Sequence, residues 1–102
     1  MNIKNVIVKP AAIASIALLT ACGGEQIDGE ALAVEKGCVA CHGTRGKAIA
    51  PIYPNLNGQW EKYLRTQLVA YRDGSRKNAI MSLQAENLSN EDIAVLAAHY
   101  GN

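Results

Sequence analysis

The sequence is 102 residues long, enough for one small domain. Ten basic and nine acidic residues leave it near neutrality, which excludes the strong positive field that nucleic-acid binding asks for. There is no phenylalanine and one tryptophan, Trp60, so side chains alone offer little bulk for a core, and chains this small lean on a metal, a cofactor or a disulfide.

In chain order, residues 1–21 read as an export signal. Lys4 and Lys9 give a basic start, and residues 11–21 are small or apolar except for Ser15 and Thr20. The run falls short of the roughly 20 apolar residues that a membrane span needs. It ends in Leu19-Thr20-Ala21-Cys22, which resembles the lipobox of bacterial lipoproteins. That resemblance implies cleavage before Cys22 and lipidation of its thiol, holding the protein on the periplasmic side of a bacterial membrane. Gly23, rather than an aspartate, follows the cysteine and slightly favours the outer membrane. The competing reading is a plain signal that leaves Cys22 as a free thiol. Residues 22–28 read as a glycine-rich tether, and residues 29–102 as the folded domain. Removing the signal leaves eight basic and nine acidic residues.

Residues 29–36 favour helix, with Glu30 early and Lys36 late. They lead into Cys38-Val39-Ala40-Cys41-His42, which matches the C-x-x-C-H signature of c-type haem attachment. Two thiols three positions apart on a turn can each add to one haem vinyl group, and the adjacent histidine is then held beneath the ring to bind iron. A dithiol redox pair, a zinc site and a plain disulfide compete with this reading. The first needs a βαβ setting and the second needs four suitably spaced ligands.

Residues 43–58, rich in Gly, Pro and Asn, predict a loop long enough to wrap a cofactor edge. Residues 60–72 predict a helix with Trp60, Leu64, Gln67, Leu68 and Tyr71 on one face, closed by Asp73-Gly74. Ser89 with Asp92 predicts a capped final helix whose inner face is Ile93, Leu96, Ala97 and Tyr100. Leu32 and Val34 are expected to pack against that face. The fold class is all-α.

The ordered matches Tyr53-Pro54-Asn55-Leu56-Asn57-Gly58-Gln59, Tyr63-Leu64, Gln67-Leu68, Tyr71 with Asp73-Gly74, Leu88-Ser89, Asp92-Ile93 and Leu96-Ala97-Ala98 extend the haem motif over residues 29–100. With them the chain resembles class I c-type cytochromes of the small bacterial periplasmic type. The resemblance implies three to five helices around one covalent haem c, attached through Cys38 and Cys41. It implies His42 as the proximal iron ligand, with the Pro54 carbonyl accepting from its other ring nitrogen, and Leu56 against the haem edge. It implies Met81 as the distal ligand, which raises the reduction potential and suits electron transfer. His99 is the rival distal ligand, read as a surface or packing residue.

The expected function is one-electron transfer by a carrier that is not itself an enzyme. Redox partners such as a quinol-oxidising complex, a terminal oxidase or a periplasmic reductase follow from the resemblance. Arg45, Lys47, Arg76 and Lys77 are candidates to dock acidic partners or balance the haem propionates. Trp60, Tyr63 and Tyr71 are within reach of the haem, with core packing expected for at least two. Two alternatives stay open: an open distal site that senses a gas or peroxide, and a haem-free Cys38/Cys41 thiol–disulfide pair.

Overall fold

The computed structural model describes residues 26–102, and the export signal and Cys22 lie outside that range. Five helices follow in order: α1 Gly29–Glu35, α2 Val39–His42, α3 Glu61–Asp73, α4 Met81–Ala85 and α5 Asn90–Tyr100. No strand occurs among the described residues.

Local signals explain the ends of the longer helices. The Asp28 carboxylate accepts from the Glu30 N–H at 2.9 Å and starts α1. Ser89 and Asp92 exchange side-chain and backbone hydrogen bonds at 2.9 and 3.0 Å, the reciprocal box expected for α5. Gly74 ends α3 at φ 89°, a left-handed conformation that a residue with a Cβ resists.

Helix α5 is the centre of the packing, with α1 and α3 both against it and α4 against α3. Its expected inner face is correct: Ile93, Leu96, Ala97 and Tyr100 are all buried. Leu32 and Ala33 meet it from α1, with Leu64, Ala85 and Leu88 completing the core. Three of these nine residues are alanines, so the core is thin for a free-standing domain.

Two expectations about packing fail. Val34 is 59% exposed, and Ala33 takes the place expected for it. Successive helical residues turn by about 100°, so residues 32 and 34 cannot share one narrow face. Trp60 is 74% exposed, because it precedes α3 with extended backbone and does not follow the helical period. Tyr63 is also exposed, so of the three aromatics only Tyr71 packs against the core.

The loop between α2 and α3 is held by its own backbone. The N–H groups of Leu56 and Asn57 both donate to the Gly46 carbonyl, at 2.7 and 3.1 Å. Gly46 has φ 86°, and a Cβ there would lie 2.6 Å from the Asn57 nitrogen, so the close approach needs glycine. The Asn55 side chain accepts from Ala48 N–H at 2.7 Å, and Ile49 N–H donates to the Cys41 carbonyl at 3.1 Å. These bonds bring Pro54 and Leu56 back over the short helix that carries the cysteine–histidine motif.

Candidate haem site

The motif lies on α2 and the residue before it. The Cys38 N–H donates to the Ala33 carbonyl at 2.9 Å, and the Cys38 carbonyl accepts from His42 N–H at 2.9 Å. One helical turn therefore sets the two thiols on neighbouring positions with His42 directly after them. His42 is only 7% exposed, yet its Nδ1 lies 2.9 Å from the Pro54 carbonyl oxygen. A carbonyl can only accept, so Nδ1 carries a proton, and Nε2 is the ring nitrogen left to bind iron. The Pro54 contact implied by the family resemblance is thus present.

A cavity of about 270 Å³ opens beside this helix. Cys38, His42, Pro54, Leu56 and Met81 all line it. Apolar groups from α3 and α5, including Leu64, Leu68 and Leu96, form much of its wall. Cys41 is half-buried and is not among the residues that line the cavity. Its thiol, beside Tyr53, pushes the Tyr53 hydroxyl pKa up. His99 does not line the cavity. Its Nε2 lies 2.7 Å from the Thr44 carbonyl, and its ring stands edge-on to Tyr100.

The donor set fits a haem. Among the described residues no group of three or more His, Cys, Asp or Glu side chains could hold a bare metal ion. A porphyrin brings four nitrogens of its own, so one imidazole and one thioether from the protein complete six-coordinate iron. A dithiol redox role fits less well. Reactive thiols of that kind have lowered pKa values, whereas burial pushes the Cys38 thiol up.

These features are shared with known proteins, and residues 26–99 match the cytochrome c family pattern. The chain belongs to the cytochrome c family. Over 68 residues it is 56% identical to cytochrome c-554(548) of Halomonas halodenitrificans, covering 64% of this chain and 82% of that one. Over 64 residues it is 45% identical to a thiosulfate dehydrogenase electron acceptor of Thiomonas intermedia, covering 62% of this chain but only 30% of the other. A cytochrome c4 structure from Acidithiobacillus ferrooxidans superposes with a TM-score of 0.65 at 27% identity, over 76% of this chain and 51% of that one. As a cytochrome c, the protein carries one covalent haem c and passes single electrons.

Several residues shape this site in ways that their place in the sequence did not specify. Tyr53 lies near enough to Cys41 for the thiol to push its hydroxyl pKa up, and the sequence marked it only as the first residue of the run that ends at Gln59. Lys36 and Arg76 bring cationic groups to an otherwise largely apolar lining. Tyr100, expected only as a core residue, also donates its hydroxyl to the Gly43 carbonyl at 2.9 Å and so ties α5 to the end of the motif. Burial is the main cause that pushes the Tyr100 hydroxyl up, to about 12.

Tyr100→Phe removes that bond and is expected to cost about 1 kcal/mol at neutral pH. The folded-state pKa lies above the unfolded value, so Tyr100 contributes fully below about pH 10 and loses its contribution as pH rises towards 12. Paired thermal unfolding should show wild type losing stability more steeply than Tyr100→Phe across that range.

Proposed function

We propose that this chain is an exported, lipid-anchored electron carrier that holds its haem through Cys38 and Cys41, with His42 and Met81 as axial ligands. One observation carries the reading: a single cavity is lined by Cys38, Met81 and an imidazole whose tautomer is set by the Pro54 carbonyl. The haem supplies a reversible Fe(II)/Fe(III) couple when bound.

The protein's own groups do the rest. The Pro54 carbonyl orients His42 and makes it a better donor. Met81 supplies a soft thioether that favours the reduced state. Leu56 packs at the haem edge, and the surrounding apolar walls exclude water. Two protein ligands leave no open iron position, which favours a carrier over an enzyme or a gas sensor. A potentiometric titration should follow a one-electron curve, and the reduced wild type should not bind carbon monoxide at neutral pH. Rapid carbon monoxide binding would favour the sensor reading instead.

Partners are redox proteins such as a quinol-oxidising complex, a terminal oxidase or a periplasmic reductase. The relative named as an electron acceptor of thiosulfate dehydrogenase supports a dehydrogenase as a further donor class. The anchor reading rests on residues 1–21 as signal, Cys22 as the lipidated residue and residues 22–28 as tether. It places the domain on the periplasmic side of a membrane, with the outer membrane slightly favoured. Radiolabelled palmitate should enter the wild-type chain but not Cys22→Ala, which should leave the membrane fraction. Equal labelling of both chains would remove the lipid anchor.

A further inference from the structure

The segment joining α3 to α4 delivers Met81, and two polar devices fix it. The first is Arg76. Its backbone N–H donates to the Ala70 carbonyl at 3.0 Å, and its Nη1 donates to Gln67 Oε1 at 2.7 Å. Its guanidinium carbon stands 4.8 Å from the centre of the Tyr71 ring. Gln67 and Tyr71 lie one turn apart on α3, and both line the cavity together with Arg76. The ion pairs among the described residues are Lys36 with Asp92 and Arg65 with Glu61, and the partners that Arg76 does meet, Gln67 and the Tyr71 ring, are neutral.

The second device is Asn78. Its side-chain oxygen accepts from the N–H groups of both Ile80 and Met81 at 2.9 Å. Its own N–H donates to Ser82 Oγ at 3.0 Å, and its carbonyl accepts from Ser82 N–H at 2.9 Å. Asn78 therefore caps the turn on which Met81 sits, and Met81's backbone nitrogen is one of the atoms it holds.

We propose that Arg76 and Asn78 are positioning residues that keep the Met81 thioether on the haem iron, which deepens the ligand assignment made above and rests on it. Methionine has three rotatable side-chain bonds, and a segment free to move would let it leave the iron. Holding the chain at Arg76 and again at the Ile80 and Met81 N–H groups restricts the segment that carries the thioether before it binds. The planar fork and stacking face of arginine suit this grip, and lysine lacks both.

The test uses the matured haem protein with Arg76→Gln, Arg76→Lys, Asn78→Ala and, as a control for stability alone, Arg72→Gln. Arg72 also ends α3, but it bonds the Leu88 carbonyl at 2.9 Å and Asn90 Oδ1 at 2.6 Å and does not line the cavity. Imidazole is titrated into each ferric protein while the sulfur-to-iron absorption band is followed. Arg76→Gln, Arg76→Lys and Asn78→Ala should each bind imidazole roughly tenfold tighter than wild type, with a weaker band and a lower reduction potential. Arg72→Gln should melt earlier with imidazole affinity unchanged. Wild-type affinity and band in Arg76→Gln and Asn78→Ala would overturn the proposal, as would imidazole affinity rising equally in Arg72→Gln. Wild-type behaviour of Arg76→Lys alone would replace the clamp with a simple charge effect. A wild-type protein without the sulfur band would instead strike the Met81 assignment, and the clamp would fall with it.

Discussion

Replacing Met81 by alanine is expected to leave a folded, haem-bearing protein whose reduction potential falls by on the order of 100 mV or more. Axial ligands move haem potentials over a range of about 0.8 V, and loss of a thioether opposite imidazole removes a group that favours Fe(II). Met81 is half-buried on a five-residue helix, so its truncation costs less packing than a fully buried methionine would. The haem stays in place, because Cys38, Cys41 and His42 lie on a different element. The vacated position should then take carbon monoxide in the reduced state, which wild type should refuse. An unchanged potential would move the distal ligand elsewhere in the chain. His99 is a poor replacement, since its Nε2 is engaged with the Thr44 carbonyl outside the cavity.

The double replacement Cys38→Ser with Cys41→Ser should have the larger structural consequence. It removes both covalent links, so haem should be lost on acid–organic extraction and in large part during maturation. The domain then has to fold around a void. At roughly 24 cal/mol per Å³, an empty apolar cavity of about 270 Å³ corresponds to about 6 kcal/mol. Water entering from the open side makes that an upper figure. It still compares with the 5–15 kcal/mol that holds a typical domain together, and this core is thin. Far-ultraviolet circular dichroism should show a loss of helix and of cooperative melting. A variant that stays haem-free yet melts as sharply as wild type would show that the side chains suffice without the cofactor.

Much of this was legible in the chain, and the reasons are physical. Helix α5 announced itself through the Ser89–Asp92 box and an apolar face of Ile93, Leu96, Ala97 and Tyr100, because eleven residues give the helical period room to repeat. Gly74 marked the end of α3 because the left-handed turn it makes is costly for other residues. Helices α2 and α4, with four and five residues, are too short to display a period. Asn78 holds the turn that enters α4 by accepting from the Ile80 and Met81 N–H groups, and exposed Ile80 and Leu83 carry no inward pattern. Trp60 misled because hydrophobic spacing cannot tell the last residue of a loop from the first of a helix.

The site divides in the same way. Cys38, Cys41 and His42 are visible because their chemistry demands adjacency in the chain. Pro54, Leu56 and Met81 were reached only through family likeness, and they line the cavity with Cys38 and His42. The grip of Arg76 on Gln67 and Tyr71 was not readable. It joins side chains across a turn of chain, where an arginine next to Lys77 looks like any solvated charge.

The most direct measurement is the optical spectrum of the chain matured in cells with c-type haem attachment machinery, recorded after acid–organic extraction. One haem per chain that survives extraction, together with the long-wavelength sulfur-to-iron band in the oxidised protein, is the predicted result. A colourless protein, purified beside a control cytochrome that matured in the same cells, would contradict it.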